Sequence, residues 1–342
     1  MTGGDRTGET GEAEGPVAPC VRVPRENGEE TRRDLAEAGV LDDRYEITVE
    51  DGWIYVPVLE HPEGYEVVER PVTERDGQTT PADLLAFDPT YERLGDVVIL
   101  DEEDPDRARR AAEAVMESDV PVATVVRRAS EVQGELRLRE FEVLAGDGTE
   151  TVHREYGCEY LLDLQEVYFS PRLATERHRV AEQVRAGEQA FDMFAGVGPF
   201  VVPFAARGAD CVGVDLNEAA VEYLRENCRR NGVVDLVTVH HGDVREIARD
   251  PEFGYEGWAD RVVMNLPHSA DEFLDTAVGL AGEDCLLHYY DIQSDEDPYG
   301  PGERAIREAA GPEYDVEVET RRTVRSHAPH ELNVVLDVRL TR

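Results

Sequence analysis

The chain has 342 residues, enough for two or three domains with a sizeable core, and its formal net charge is −40. Its longest apolar runs fall well short of the roughly 20 residues that a membrane span needs, and its first residues lack the apolar core of a secretion signal, so we expect neither a membrane protein nor a secreted one. The five cysteines are scattered and never spaced as C-x-x-C, which disfavours a disulfide framework or a zinc site and favours a cytoplasmic location.

The acidic excess extends over the whole chain, and all 35 basic residues are arginine because the sequence contains no lysine. Self-repulsion at this charge is large in dilute buffer, but in roughly molar salt the Debye length falls to about 3 Å and screens most of it. We interpret the composition as adaptation to a salt-rich, halophilic cytoplasm; an acidic protein that meets basic partners is the alternative. Acidity of this origin does not exclude a nucleic-acid substrate.

The N-terminal part of the sequence divides into a tail, a small module and a linker. Residues 1–16 are small and polar without periodicity, which is typical of a disordered tail. Within residues 17–62, Glu29–Ala38 predicts a short helix and Tyr45–Leu59 predicts two strands around a turn, together a small α+β module. Residues 63–80, rich in proline, glycine and charge, indicate a linker.

A middle α+β domain is predicted over residues 81–165. Val97–Leu100 and Val122–Val126 predict buried strands on either side of a helix at Pro105–Glu117, whose apolar residues fall on one face. Further on, Gly134–Leu144 and Glu150–His153 predict a hairpin around a glycine-rich turn.

In residues 166–342 strand and helix patterns alternate. This alternation predicts a mostly parallel sheet covered by helices on both faces, a Rossmann-like α/β domain. The predicted strands are Ala190–Phe194, Cys211–Asp215, Val237–His240, Arg261–Met264 and Leu286–Tyr290. The predicted helices are Phe200–Arg207, Ala219–Asn231 and Asp271–Ala281. At the end, Tyr314–Val318 and Val334–Leu340 predict a closing hairpin.

A glycine-bearing turn joins the first of these strands to a helix. Gly196 and Gly198 let a ligand approach the backbone closely, and a helix start directs N–H groups at that ligand. Val201 replaces the third glycine of the dinucleotide-binding turn G-x-G-x-x-G. Such a turn is weak evidence by itself, since many are only tight turns.

Polar residues follow three further strands of this region. Asp215 ends the second strand and suits the hydroxyls of a ribose, although it could instead cap the next helix, as Asn217 also could. Asp243 follows the third strand and could accept a hydrogen bond from an adenine amino group, and Asn265 follows the fourth. Each has an ordinary alternative as loop chemistry. Four such features in order, each at the carboxyl end of a strand, favour a domain that binds S-adenosylmethionine.

Three motifs carry a resemblance to a known family: Val167–Arg177, which contains F-S-P-R-L-x-x-E-R, then Asp192–Phe200 and Met264–Pro267. With residues 137–140, residues 153–157 and the module Cys20–Leu59, the sequence resembles the archaeal and eukaryotic tRNA (guanine-N1)-methyltransferases that act at anticodon-loop position 37. The resemblance covers nearly all of the chain except the tail and the linker. It implies a class I methyltransferase fold, S-adenosylmethionine as cofactor and tRNA as partner. We further expect a monomer with no metal, DNA or membrane partner.

The chemistry at N1 of guanosine requires two groups. The N1 proton must be removed and the negative charge that develops on O6 must be stabilised, for which a carboxylate and an arginine are the natural pair. The resemblance implies that Glu176 is the general base and that Arg137 holds O6, with Arg139 left open for that role. It also implies that Asn265 binds the base or the methionine portion of the cofactor.

The resemblance also implies the residues that bind the two substrates. Tyr168, Arg172 and Pro267 would contact the target nucleotide, and the N-terminal module would touch the outer corner of the tRNA. Residues 167–185 carry four arginines and two glutamates, a positive island in an acidic chain. The cofactor-binding residues would be Arg177 (at the cofactor carboxylate), Phe194, Gly196, Gly198, Asp215, Leu216, Asp243, Val244 and Asn265.

Ordinary interpretations of several of these residues stay open. Glu176 could be only an ion-pair partner of a neighbouring arginine, and Tyr168 could be interdomain core. His240 and His241 are adjacent on a predicted strand and point to opposite faces, which argues against a metal site. His268 stands where the family more often has lysine, and its role is open.

Two rival functions use the same substrates. One is transfer of the aminocarboxypropyl group of the cofactor in the wybutosine pathway, and a variant would methylate a tricyclic intermediate at the same position. The sister family lacks the Pro171-Arg172-Leu173 segment, whose presence favours methyl transfer. A third possibility, of another class, is a non-catalytic tRNA-binding protein, against which the intact acidic residues at the strand ends argue.

Overall fold

The computed structural model describes residues 16–62, 64–75, 77, 79–130, 134 and 136–342. The predicted tail therefore lies outside the described residues except for Pro16. The chain forms two compact units, which meet in sequence between Thr79 and Thr80. Each unit is described by itself below.

The N-terminal unit is a four-stranded antiparallel sheet with one helix. It consists of β1 (Val17–Pro24), α1 (Gly28–Glu37), β2 (Thr48–Glu50), β3 (Trp53–Pro57) and β4 (Val67–Pro71). The strands lie in the order β2-β3-β1-β4, and Val21, Leu35, Val56 and Val58 form the core. The predicted helix and hairpin are confirmed.

The prediction of a linker over residues 63–80 is wrong where β4 forms. This strand pairs antiparallel with β1, with Val17 opposite Pro71 and Val21 opposite Val67. Pro71 is compatible with the pairing because it ends an edge strand, where no further strand needs its missing N–H. Counting prolines and charges overlooked the two valines that begin the strand.

The second unit begins with a four-stranded sheet and one helix. It contains β5 (Tyr91–Leu94), β6 (Val97–Leu100), α2 (Pro105–Glu117), β7 (Thr124–Arg128) and β8 (Phe141–Ala145), with the strands in that order. β6 and β7 are parallel and are joined through α2, which begins with Asp104 as N-cap and Pro105 in its first turn. The predicted bounds of this helix are confirmed.

The hairpin predicted over residues 134–153 is wrong, because its two arms join different sheets. β8 pairs with β7, whereas β9 (Glu150–Glu155) pairs with β10 (Cys158–Asp163). The β9–β10 ribbon is held by the C-terminal region through two side-chain amides. The Asn231 amide accepts from the backbone N–H of Glu159 and donates to its carbonyl, and the Asn227 amide makes the same two hydrogen bonds with Leu161. Turn glycines between two strands do not decide which partner each strand takes.

The C-terminal region is a seven-stranded sheet in the order β13-β12-β11-β14-β15-β17-β16. Its strands are β11 (Gln189–Asp192), β12 (Asp210–Asp215), β13 (Val237–His241), β14 (Ala259–Met264), β15 (Ala281–Ser294), β16 (Asp315–Ala328) and β17 (Glu331–Thr341). Its helices are α3 (Ala174–Ala181), α4 (Val201–Ala206), α5 (Glu218–Arg230), α6 (Val244–Arg249), α7 (Leu274–Leu280) and α8 (Gly300–Ala310).

The topology of this sheet confirms the predicted Rossmann-like domain. β11 to β15 are parallel, and β17 and β16 complete the sheet antiparallel, as the predicted closing hairpin requires. The strand order reverses beside β11, because β12 lies on one side and β14 on the other. Such a reversal opens a crevice at the carboxyl ends of the strands, where α/β proteins bind ligands. Among the described residues, no helix is long and apolar enough to cross a membrane.

Candidate functional site

Two neighbouring cavities open at the carboxyl ends of the parallel strands. The first, of about 160 Å³, lies over β11, β12 and β14, and the second, of about 640 Å³, extends from it towards the four-stranded sheet of the same unit. Arg137, Tyr168 and Phe169 line both cavities, so the two share a wall. The predicted site residues that line the first cavity are Arg137, Tyr168, Arg177, Phe194, Gly196, Asp215, Leu216, Asp243, Val244, Asn265 and Pro267.

The glycine turn after β11 plays two different roles. Gly196 lines the first cavity with φ at 51°, and a Cβ added there would meet nothing within 4 Å, so the backbone is open to a ligand. Gly198, with φ at 94°, does not line the cavity; its Cβ would lie 2.5 Å from Cδ1 of Leu224. Gly198 therefore shapes the turn through close packing against α5.

Asp215 stands beside that turn at the end of β12. Its two carboxylate oxygens accept backbone N–H bonds from Gly196 at 2.7 Å and from Asn217 at 2.8 Å. Asp215 is not the N-cap of the following helix, α5. That position is taken by Asn217, whose side chain accepts from the Ala219 N–H. Burial raises the pKa of Asp215 above its ordinary value although these bonds oppose the change. Each oxygen keeps a second lone pair for a hydroxyl donor in the cavity.

Asp243 has an ordinary structural role as well as a place on the cavity wall. It is the N-cap of α6, and its carboxylate pairs with the Arg245 guanidinium, which holds the pKa of Asp243 below its ordinary value. Val244 and Leu216 line the cavity beside it. The Asp243 carboxylate is therefore already partly occupied by an arginine that lines the same cavity.

The loop after β14 forms the opposite wall of the first cavity. Asn265 lies half-buried at the end of this strand, and the backbone N–H of Ile292 donates to the Pro267 carbonyl at 3.0 Å. That bond ties the loop to β15 and presents the Asn265 amide, which can donate and accept, at the cavity.

Arg137 is placed at the boundary between the cavities with a strained backbone. Its φ is 56°, in the left-handed region that a non-glycine residue rarely occupies, and its guanidinium lies 4.9 Å from the centre of the Tyr168 ring. Arg139 lines only the second cavity, whereas Arg137 lines both. The structure thus distinguishes Arg137, to which the sequence assigned the O6 contact, from its alternative Arg139.

The second cavity is strongly basic for so acidic a protein. Its wall carries six arginines and two histidines against the carboxylates of Glu92 and Glu272. The basic residues are Arg128, Arg137, Arg139, Arg172, Arg245, Arg325, His268 and His327. Three of these arginines, Arg128, Arg172 and Arg245, are paired with carboxylates.

The positive island predicted at residues 167–185 is largely neutralised, so its excess of arginine does not form the basic surface. Arg172 pairs with Glu92 at 3.1 Å, Arg177 with Glu155 at 2.7 Å, and Arg179 with Glu176 at 2.7 Å. Local charge counts miss partners that lie far away in the sequence.

Arg177 is fixed by more than this ion pair. Its guanidinium donates to both oxygens of Glu155 at 2.7 Å and to the Ser170 carbonyl at 3.1 Å, and it is only 3% exposed. It also lies 4.8 Å from the centre of the Phe169 ring. Arg177 therefore holds the segment before α3 in place, and it reaches the first cavity as part of its wall.

Glu176 is buried beside the cavities without lining either in the described part of the chain. It is 4% exposed, and its carboxylate accepts from Arg179 and from the Tyr290 hydroxyl at 3.1 Å. It also forms an ion pair with Arg322 at 3.3 Å. The sequence alternative of an exposed ion pair between Glu176 and a neighbouring arginine is confirmed only in the pairing with Arg179. The pairing is buried, however, and Tyr290 and Arg322 lie on β15 and β16 rather than on the same helix.

Sequence reasoning missed the contribution of the two last strands. Arg325 and His327 of β16 line both cavities, and Asn333 of β17 lines the first. Asn333 is 4% exposed, and its side-chain oxygen has no hydrogen-bond partner among the described residues. The one available signal was a polar residue inside the apolar run Leu332–Leu336.

Comparisons with known proteins agree with this geometry. The TRM5/TYW2 methyltransferase domain matches residues 151–319, the N-terminal domain of tRNA methyltransferase 5 matches 20–66, and the TYW2 N-terminal domain matches 77–149. The tRNA (guanine(37)-N(1))-methyltransferase Trm5b of Pyrococcus abyssi is 39% identical over 336 residues, which cover 94% of this chain and 99% of that protein.

Two further similarities concern tRNA and a related reaction. The structure of aTrm5 in complex with tRNALeu aligns with a TM-score of 0.67 at 31% identity, covering 94% of this chain and 99% of that one. A tRNA(Phe) (4-demethylwyosine(37)-C(7)) aminocarboxypropyltransferase of Pyrococcus horikoshii is 32% identical over 269 residues, covering 76% of this chain and 92% of that protein.

Proposed function

Because the chain belongs to the TRM5/TYW2 methyltransferase family, we propose that it transfers the methyl group of S-adenosylmethionine to N1 of guanosine 37 in tRNA. The observation that carries the proposal is the shared wall of the two cavities. A cavity built like a nucleoside site meets a basic chamber at Arg137 and Tyr168. A methyl donor in the first cavity and a base entering from the second would meet at that wall.

The first cavity fits the cofactor. Gly196 leaves the backbone open, and Asp215 has acceptor capacity left for the two ribose hydroxyls. Asp243 would take the adenine amino group with the lone pairs that Arg245 leaves. The bound sulfonium supplies an electrophilic methyl group, and the chain's own residues supply its position and the proton acceptor.

The target base would be held between Arg137, Asn265 and Asn333. Arg137 donates to O6 and stabilises the charge that develops there when N1 loses its proton. The unpartnered oxygen of Asn333 is an acceptor that suits an amino group such as the one on C2 of guanine. Tyr168, already packed against Arg137, offers its ring for stacking.

Glu176 would take the N1 proton. For this step its carboxylate must be reached from the cavity, and the contact with Arg322 is the one that can open, because the Arg322 side chain is 48% exposed. A phosphate of the tRNA that draws Arg322 away would uncover the base when the substrate is in place.

The remaining features of the proposal concern the whole protein. We expect the enzyme to act as a monomer, and its five free cysteines support a cytoplasmic location. The N-terminal unit, matched by a tRNA methyltransferase domain, would contact the tRNA away from the anticodon.

The test uses labelled S-adenosylmethionine and unmodified tRNA in molar potassium chloride, followed by nucleoside analysis. We expect N1-methylguanosine, and its loss when guanosine 37 is replaced by adenosine. An aminocarboxypropylated nucleoside would assign the chain to the reaction of the Pyrococcus horikoshii relative instead. Cofactor binding without any product would contradict an enzymatic role on this tRNA.

A further inference from the structure

A half-buried arginine beside Glu176, whose side chain is 20% exposed, is shared between two carboxylates. Arg179 donates from Nη2 to Oε1 of Glu176 at 2.7 Å and from Nη1 to Oδ2 of Asp337 at 2.6 Å. Both carboxylates are nearly inaccessible, Glu176 at 4% and Asp337 at 1% exposure. Burial disfavours the charged guanidinium, but these hydrogen bonds outweigh it and hold the pKa of Arg179 above its ordinary value.

Asp337 is fixed from its other side by a chain of buried polar groups. Nδ1 of His288 lies 2.6 Å from Oδ1 of Asp337, and Nε2 of His288 faces the guanidinium of Arg261, which pairs in turn with Glu188. Since Arg261 can only donate, His288 accepts at Nε2 and donates its Nδ1 proton to Asp337. Burial lowers the pKa of His288, consistent with a neutral ring.

The second carboxylate solves a charge problem that the proposed reaction creates. When Glu176 takes the N1 proton of guanosine, its negative charge disappears while Arg179 stays charged. A half-buried guanidinium that loses its anionic partner is unfavourable, and this opposes transfer of the proton to Glu176. With Asp337 ionised, Arg179 keeps a partner and the proton can move without leaving an isolated charge.

The other groups that face Glu176 do not replace Asp337. From β15, Tyr290 donates its hydroxyl to Oε1, and burial keeps the pKa of this phenol well above its ordinary value, so it stays neutral. From β16, Arg322 adds a second positive charge at 3.3 Å. Asp337 on β17 is thus the one anion among the described groups that balances these cations when Glu176 is protonated.

We infer that Asp337 is a positioning residue that keeps Glu176 basic by holding Arg179, an inference that rests on the proposed role of Glu176. The N1 proton passes to a Glu176 oxygen, and N1 bonds to the methyl group as the methyl–sulfur bond of the sulfonium breaks and leaves a neutral thioether. Arg179 then moves its main hydrogen bonds towards Asp337. Asp337 neither touches the substrate nor changes its own protonation.

The experiment measures single-turnover methyl transfer on tRNA against pH for the full chain and for Asp337→Asn, with saturating cofactor. Removing the anion leaves the Arg179 guanidinium to pair with Glu176 alone, so Glu176 becomes a weaker proton acceptor. We expect the acid limb of the profile to move to lower pH and the plateau rate to fall roughly tenfold. Asp337→Glu, which keeps the charge, should restore the position of the acid limb.

Two controls separate this effect from simple damage. Glu188→Gln breaks an ion pair of the same buried chain without touching Arg179, and it should leave the acid limb in place. In a Glu176→Gln background, Asp337→Asn should have little further effect on the rate, because the group it acts through is gone.

A pH-independent loss of rate in Asp337→Asn would overturn the inference, and so would an equal further loss in the Glu176→Gln background. Should Asp337→Asn fail to fold, an Asp337→Glu profile shifted to lower pH would also overturn it. An undiminished rate in Glu176→Gln alone is a different failure, since it removes Glu176 as the base and contradicts the proposed mechanism itself.

Discussion

The two cavities are built from different kinds of structure. The first is made at the ends of consecutive parallel strands, from a glycine turn, Asp215 and Asn265, each placed by the strand that precedes it. The second is made where the four-stranded sheet, the segment before α3 and β16 converge, so Arg139, Arg172 and Arg325 come from distant parts of the chain. Local sequence therefore positions the strand-end residues of the first cavity, whereas long-range packing positions the residues of the second.

The largest effect is expected at Glu176, the proposed general base, which lies beside the two cavities. Glu176→Gln keeps the shape of the side chain but cannot accept the proton, and single-turnover methyl transfer should fall by about two orders of magnitude or more. Cofactor affinity, measured by equilibrium binding, should stay near normal because Glu176 does not line the first cavity. An unchanged rate would remove Glu176 as the base.

A large effect on the stability of the protein is expected at a buried carboxylate close to the first cavity. Asp192 at the end of β11 is 2% exposed with one oxygen unpartnered, and burial raises its pKa from 3.8 to about 7. The folded state thus binds this proton more tightly than the unfolded chain, so the stability contributed by the protonated group is lost as pH rises from about 4 to 7. Above about pH 7, the ionised Asp192 lowers the free energy of unfolding by up to about 4 kcal/mol relative to low pH.

Asp192→Asn removes the charge and should therefore gain stability relative to the natural chain as the pH is raised. Thermal unfolding of both proteins at pH 5 and pH 8, in the same salt and without cofactor, measures the difference. A stability difference that does not change between the two pH values would contradict the raised pKa.

A further test of the first cavity concerns the proposed contact between Asp215 and the cofactor ribose. Asp215→Ala removes an acceptor with capacity for two hydroxyls and should weaken cofactor binding roughly 10- to 100-fold, as expected for hydrogen bonds to a charged group. Asp210→Ala, at the exposed start of the same strand, is the matched control and should bind the cofactor normally. Equal affinity in the two variants would discredit the ribose assignment.

The smallest effect is expected for the loss of one arginine, Arg325, that is proposed to contact a tRNA phosphate. Arg325→Ala should weaken tRNA binding several-fold and reduce the salt slope of tRNA affinity by about one. Arg304→Ala is the control, because this exposed arginine pairs with Asp297 away from both cavities. An unaltered salt slope in Arg325→Ala would place the tRNA backbone elsewhere.

The sequence by itself determined the features that depend on a few consecutive residues. The alternation of strands and helices predicted the parallel sheet, and a strand that ends in Asp215 or Asn265 places that residue at the common edge whatever surrounds it. The family motifs likewise predicted the methyltransferase class.

Only the tertiary structure decided which strands pair and which charged side chains form ion pairs. β4 became a strand because β1 was available to pair with it, and the arms of the expected hairpin at residues 134–153 joined different sheets. Glu176 shares Arg179 with Asp337, which lies 158 residues further along the chain than that arginine. Pairings of this kind depend on burial and distance between segments that the fold brings together, and no local pattern records them.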